Sequence, residues 1–151
     1  EDNAVVEVLG VDFVNDPRVI ARMSRFNSVN ATTEVDLMGQ CASETIGGRY
    51  WSSSGGQADF ARGAMYADEG QAFIVTPSLT RDGRSRIVPS LASGSVVTTL
   101  KNTVDHVVTE HGVAELRGKA LSDRARALIA VADPSVRDNL TRDARTLGLF
   151  L

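Results

Sequence analysis

The residue types best suited to chemistry fall in one run, Arg49-Tyr-Trp-Ser-Ser-Ser-Gly-Gly-Gln-Ala-Asp-Phe-Ala-Arg-Gly-Ala64. Three short hydroxyls and two glycines make a bare backbone, and glycine permits positive φ and close approach. Downstream, Ala58, Phe60, Ala61, Ala64 and Met65 recur at helical spacing, so a helix is expected to start near Gly56 or Gln57. The first amides of a helix have no partner within it, and the helix dipole favours negative charge beside them. Such a loop can cradle a phosphate, a carboxylate or a developing oxyanion. An N-terminal cap and a turn account for the same letters, and spacing alone leaves both readings open.

The other chemistry-bearing residues carry less. Glu34 and Asp36 share one face of an expected strand and could form a carboxylate pair, although a solvated strand face is the commoner outcome. Glu44 reads as surface, and His106 as a half-buried structural residue in mid-strand. Glu110-His111-Gly112 is more suggestive, because it ends a strand, where α/β proteins place ligands. Cys41 has no base near it in sequence, and no His/Cys set stands at metal-ligand spacing, so no metal site is expected. Neither a Gly-x-Ser-x-Gly elbow nor a Walker loop occurs.

The elements that must position these residues read as strands interleaved with helices. Strands are expected at Ala4–Leu9, continuing extended through Val11–Val14, at Phe26–Ala31, Thr33–Met38, Gln71–Thr76, Arg84–Pro89, Ser95–Leu100 and Val104–Thr109. Asn15-Asp16-Pro17 starts a helix ending near Arg25, and Cys41–Gly48 is loop-like. Asp82-Gly83 marks a turn after Pro77, and Val113–Leu116 is a short apolar patch. A helix at Leu121–Ala132 is expected to pack through Leu121, Ala125, Leu128 and Ile129, and Asp133-Pro134 starts another that runs to about Leu147. Alternating strands and helices imply a layered α/β domain.

Composition agrees with one globular domain: 151 residues, 42% hydrophobic, 23% charged, formal net charge −3. Mild acidity without a basic block argues against nucleic acid, and the lack of a long apolar run argues against a membrane span. One cysteine rules out an internal disulfide and suits a reducing, cytoplasmic setting. The opening Glu1-Asp2-Asn3, without an initiator Met, suggests a piece of a longer protein.

Several strings resemble one family in order along nearly the whole chain: Glu34-Val-Asp-Leu-Met-Gly-Gln40, Gly55-Gly-Gln-Ala-Asp-Phe60 with Gly63-Ala64, Ser85-Arg-Ile-Val-Pro89, Val108-Thr-Glu-His-Gly-Val-Ala114 and Leu116-Arg-Gly118, with Arg124-Ala, Leu128-Ile and Asp133-Pro134…Arg137 matching its closing helices. The resemblance is to the C-terminal domain of the acetyl-CoA hydrolase/transferase family. It implies an open layered α/β/α sandwich with a mixed sheet, and 1–151 as the domain that follows an absent N-terminal domain. The activity it implies is transfer of CoA between an acyl-CoA and a small carboxylic acid through a glutamyl-CoA thioester. An acyl-CoA hydrolase, or a CoA-facing module inactive on its own, is the alternative. The family's nucleophilic glutamate lies upstream of this region, and no matching motif occurs here. Residue by residue, the resemblance implies a Gly56 backbone N–H in an oxyanion hole, Ser52 and Gly55 beside CoA or its acyl group, Arg81 on a CoA phosphate and Asn15 near the site. Ser52-Ser-Ser54 and Cys41-Ala-Ser-Glu44 depart from the usual family segments, which bears on acyl specificity. A homodimer is compatible with the resemblance.

Overall fold

The structure, a computed structural model, describes Asn3 and residues 5–150. Its centre is a four-stranded sheet in the order β1-β6-β8-β9, made of β1 (Asn27–Ala31), β6 (Gln71–Val75), β8 (His106–Thr109) and β9 (Gly112–Glu115). The first three strands are parallel, and β9 folds back antiparallel on β8, with Val107 opposite Ala114. A smaller sheet, β3-β2-β7, joins β2 (Glu34–Asp36) to β3 (Cys41–Ala42) antiparallel and to β7 (Ile87–Val88) parallel. β4 (Thr45–Ile46) and β5 (Arg49–Tyr50) form a small hairpin across Gly47-Gly48, both at positive φ. The mixed, open α/β architecture is the one expected.

Burial alternates along β1, β6 and β8, and in β9 only Ala114 is buried. Ser28, Ala72, Ile74, Val107, Thr109 and Ala114 are buried on one face. Pairing register places Val29, Phe73 and His106 in one row of the other face, and Ala31, Val75, Val108 and Val113 in the next. Val29 and Val113 on that face are 67% and 54% exposed. α3 (Gln57–Tyr66) lays Ala61 and Ala64 on Ala72, while α4 (Leu121–Val131) and α5 (Arg137–Thr146) enclose Ile74, Val107 and Ala114 with Ala125, Leu128, Leu140 and Ala144. The described helices α3, α4 and α5 pack on the buried face, so among the described residues the expected α/β/α sandwich shows one helical layer. Gly63 is required here for space: an added Cβ would stand 2.5 Å from Ile20, which α2 (Pro17–Ile20) presses onto α3.

Several expectations need correction. Residues 5–9 form no strand; they have no neighbour to pair with and lie exposed, and Ala4 is outside the described residues. Val11–Val14 is one helical turn (α1) instead of extended chain, because without a ladder its amides are satisfied locally, Val14 N on Gly10 O and Asn15 N on Val11 O. The helix begun at Pro17 ends at Ile20, and Arg25 turns at φ 54°. Residues 95–100 make a single bridge, Cys41 to Thr99, and of Arg84–Pro89 only Ile87–Val88 is strand. Cys41–Gly48, read as loop, holds β3 and β4, and the patch at 113–116 is mostly β9. A 3-10 turn, Pro134–Val136, precedes α5.

Leu121, the first residue of α4 after the N-cap Ala120, is 42% exposed and takes no part in the core, whose share of the helix begins a turn later at Arg124 and Ala125. Leu128 is fully buried. In urea denaturation of this chain, Leu128→Ala is expected to cost about 2–5 kcal/mol, whereas Leu121→Ala should stay within about 0.5 kcal/mol of wild type. Equal costs would mean that Leu121 belongs to the core.

Candidate active-site cleft

α3 packs along β6 and passes into it through Ala67–Gly70, so helix and strand run in opposite directions. Ten helical residues rise about 15 Å, close to the roughly 16 Å of a five-residue strand. The start of α3 therefore lies near the carboxyl edge of the parallel strands. There Gly55 sits at φ 55°, a conformation that favours glycine, and Gly56 is the helix N-cap. No side chain caps α3, although three serines precede it. Ser52 Oγ donates to the Ser53 carbonyl, 3.2 Å, instead.

This uncapped helix start borders a cleft of about 530 Å³ lined by Val11, Asp12, Asn15, Asp16, Ser53, Ser54, Gly55, Gly56 and Asp59. Asn15 is brought to Gly56: a Cβ on Gly56 would collide with Asn15 Nδ2 and meet the Phe60 ring at 2.9 Å. The cap of α2 is Asp16, whose carboxylate accepts from Arg18 N at 2.8 Å. Arg18 also grips that carboxylate at 2.6–3.0 Å and holds its pKa down to about 2. Asp12 and Asp59 line the cleft as further carboxylates.

Of the residues expected at the site, Asn15, Gly55 and Gly56 meet in this cleft. Ser52 lies on the exposed loop leading to it without lining it. Arg81 stands on the exposed loop after β6 and does not line it. That loop is pinned from the next strand by Glu110, which accepts from Ser78 N at 2.9 Å and Ser78 Oγ at 2.6 Å. His111 lies 3.7 Å from Glu110 and 3.6 Å from Asp133.

Three carboxylates read as surface or solvated are structural instead. Asp36 is 1% exposed and accepts from Met38 N, Gln40 N and Gln40 Nε2. Glu34 accepts from Ala92 N, and Glu44 from Thr98 Oγ1 at 3.0 Å. Asp36 thus closes its own turn, whereas Glu34 and Glu44 are held by contacts 58 and 54 residues away, which local polarity cannot signal. Cys41 is fully buried, and burial raises its thiol pKa strongly, which removes it as a nucleophile. His106 is structural as read, stacked on Phe73 at 4.8 Å. A second depression, about 590 Å³, opens at the amino edge of the sheet beside Asp105 and Arg117, which neutralise each other at 2.9 Å.

A family model described as the acetyl-CoA hydrolase/transferase C-terminal domain matches residues 1–144. The chain belongs to that family. It is 50% identical over 148 residues, 97% of its length, to a succinyl-CoA:cyclohexane-1-carboxylate CoA transferase of Geobacter metallireducens. It is 49% identical over 143 residues, 94% of its length, to a 4-hydroxybutyrate coenzyme A transferase of Clostridium kluyveri. The crystal structure of RipA from Yersinia pestis superposes over 93% of this chain and 32% of its own, with TM-score 0.86 at 42% identity. The chain spans 34% and 33% of the two curated relatives.

The Ser78 hydrogen bonds hold the Glu110 pKa below the ordinary 4.5. A carboxylate whose pKa is depressed on folding adds stability above its unfolded pKa and loses it as pH falls through the folded value. By NMR, the Ser78 amide resonance should therefore titrate with a midpoint below 4.5, and Glu110→Gln should abolish that titration. A midpoint at or above 4.5 would show that the pin does not hold in solution.

Proposed function

We propose that this chain is the carboxyl-terminal third of a CoA-transferase and supplies the oxyanion-side wall of its acyl-CoA site. The observation that carries the reading is the junction of Asn15 with the uncapped Gly55-Gly56 helix start, in a chain about half identical to two CoA transferases. The cleft's electrostatics favour one of the three anion readings. Asp12 and Asp59 at its wall disfavour a permanently charged phosphate, while a thioester carbonyl enters neutral and carries charge only at the moment of attack.

In the family's chemistry a glutamate carboxylate from the preceding part of the polypeptide attacks the acyl-CoA carbonyl and expels CoA thiolate, leaving an acyl-glutamyl anhydride. The thiolate then attacks the glutamyl carbonyl, releases the first carboxylic acid and leaves a glutamyl-CoA thioester. The acceptor carboxylate attacks that thioester and expels the thiolate, which takes the acyl group from the new anhydride and frees the glutamate. Each attack places negative charge on a carbonyl oxygen. The Gly56 amide is the donor assigned to it, with the Asn15 carboxamide alongside. Water in place of the acceptor acid would make the same site a hydrolase.

The remaining two thirds of the longer protein is the partner this reading requires, contributing the nucleophile and the opposite wall. The isolated chain should be inactive. Incubation with acetyl-CoA followed by borohydride, which reduces a protein thioester, should leave every glutamate here unmodified. The longer protein should show one reduced glutamate outside these residues. A modified Glu34, Glu44 or Glu110 would overturn the assignment.

Arg81 is proposed to meet a CoA phosphate, supported by its exposure on a pinned loop. In the longer protein, Arg81→Glu should raise KM for acyl-CoA at least several-fold at low salt, with a smaller effect on KM for the acceptor acid. Unchanged constants would make Arg81 an ordinary surface residue of the Asp82-Gly83 turn.

A further inference from the structure

Beneath the Ser/Gly loop runs a chain of buried hydrogen bonds that none of the roles above uses. Gln57, the first residue of α3, is 6% exposed and donates from Nε2 to Thr99 Oγ1 at 3.0 Å. Thr99 is 1% exposed and is tied to β3 in both directions, its N–H on Cys41 O at 3.2 Å and Cys41 N–H on its carbonyl at 3.1 Å. The neighbouring Thr98 accepts from Ser43 N at 2.9 Å and donates to Glu44 Oε1. The Glu44 carbonyl in turn accepts from Trp51 N at 2.7 Å and Ser52 N at 3.2 Å. Thr98 and Thr99 thus fasten both ends of the catalytic loop, its entry through Glu44 and its exit through Gln57.

We propose that Gln57, held by Thr99, is a positioning residue that presets the Gly56 amide for the oxyanion; this rests on the CoA-transferase reading above. An uncapped helix start bearing two glycines has little of its own to fix its amide directions. A long polar side chain at its first residue, turned inward onto a buried hydroxyl, fixes the rotation of that first turn. Preorganised donors stabilise a transition state only if they need not reorient, and a displacement of about 1 Å can cost on the order of 10²-fold in rate. The substrate does not touch Gln57, so its loss should lower kcat and leave KM for acyl-CoA nearly unchanged.

The test uses the longer protein with succinyl-CoA and acetate, comparing Thr99→Val, Thr99→Ser, Gln57→Leu, the Gln57→Leu/Thr99→Val double variant and Gly56→Ala. Thr99→Val removes the hydroxyl at nearly constant shape. We expect roughly ten- to a hundredfold lower kcat with KM within about twofold, and rescue by Thr99→Ser. The double variant should be no slower than the worse single one. Amide hydrogen exchange over residues 55–58 should accelerate in Thr99→Val while β6 and β8 stay protected, which keeps the test informative if Gln57→Leu folds poorly. If Gly56→Ala leaves kcat intact, the oxyanion reading fails, and this inference with it. If Gly56→Ala is slow but Thr99→Val turns over normally, or the two single effects multiply, only the positioning role is overturned.

Discussion

Parallel pairing of β1, β6 and β8 is the constraint on which the rest depends. Parallel neighbours cannot be joined by a tight turn, so the chain must travel back across the sheet between them. Between β1 and β6 that return ends in α3, whose length roughly matches the strand it precedes. The Ser/Gly loop reaches the carboxyl edge of the sheet because α3 must end where β6 begins. Glu110 and Ser78 meet at the same edge because both follow parallel strands. The site is thus a product of topology before it is a product of any one motif.

Polar groups inside this framework hold positions that apolar packing cannot specify. Arg124 on α4 is 7% exposed, and its Nη2 donates to the carbonyls of Lys101 and Val104, binding the helix to the segment that leads into β8. Burial lowers its pKa, while the nearby Asp36 carboxylate works in the opposite direction. Asp105, also buried, accepts from Ala72 N and Arg117 and so fixes β6 against the start of β8. Such buried polar contacts convert an adaptable hydrophobic contact into one register, although Arg124 Nε itself finds no partner among the described residues.

Much of this was legible in the sequence, for identifiable reasons. Gln71–Val75 and the helices around Leu128 and Leu140 carry periodicity strong enough to survive tertiary context. The loop-to-helix junction at Gly56 was readable because glycine pairs and helical spacing are local signals. Residues 5–14 were misread because β-branched composition predicts a strand only where a neighbour exists to pair with it. Glu44 was read as surface, and Thr98, Thr99 and Gln57 were given no role, because their meaning lies in contacts 42 to 54 residues apart. The inward-pointing glutamine next to two glycines was the one local hint.

The lone cysteine acquires a use from its place in this arrangement. Cys41 is fully buried in the main core, and its backbone holds Thr99, so the residue adjoins the loop fastening. A thiol reagent can reach it only when that core opens. The labelling rate therefore clocks the opening of the ground on which the Ser/Gly loop stands, separately from fraying of the exposed amino-terminal segment. The protein carries its own stopwatch for the stiffness of that loop, wound by a residue buried away from the cleft.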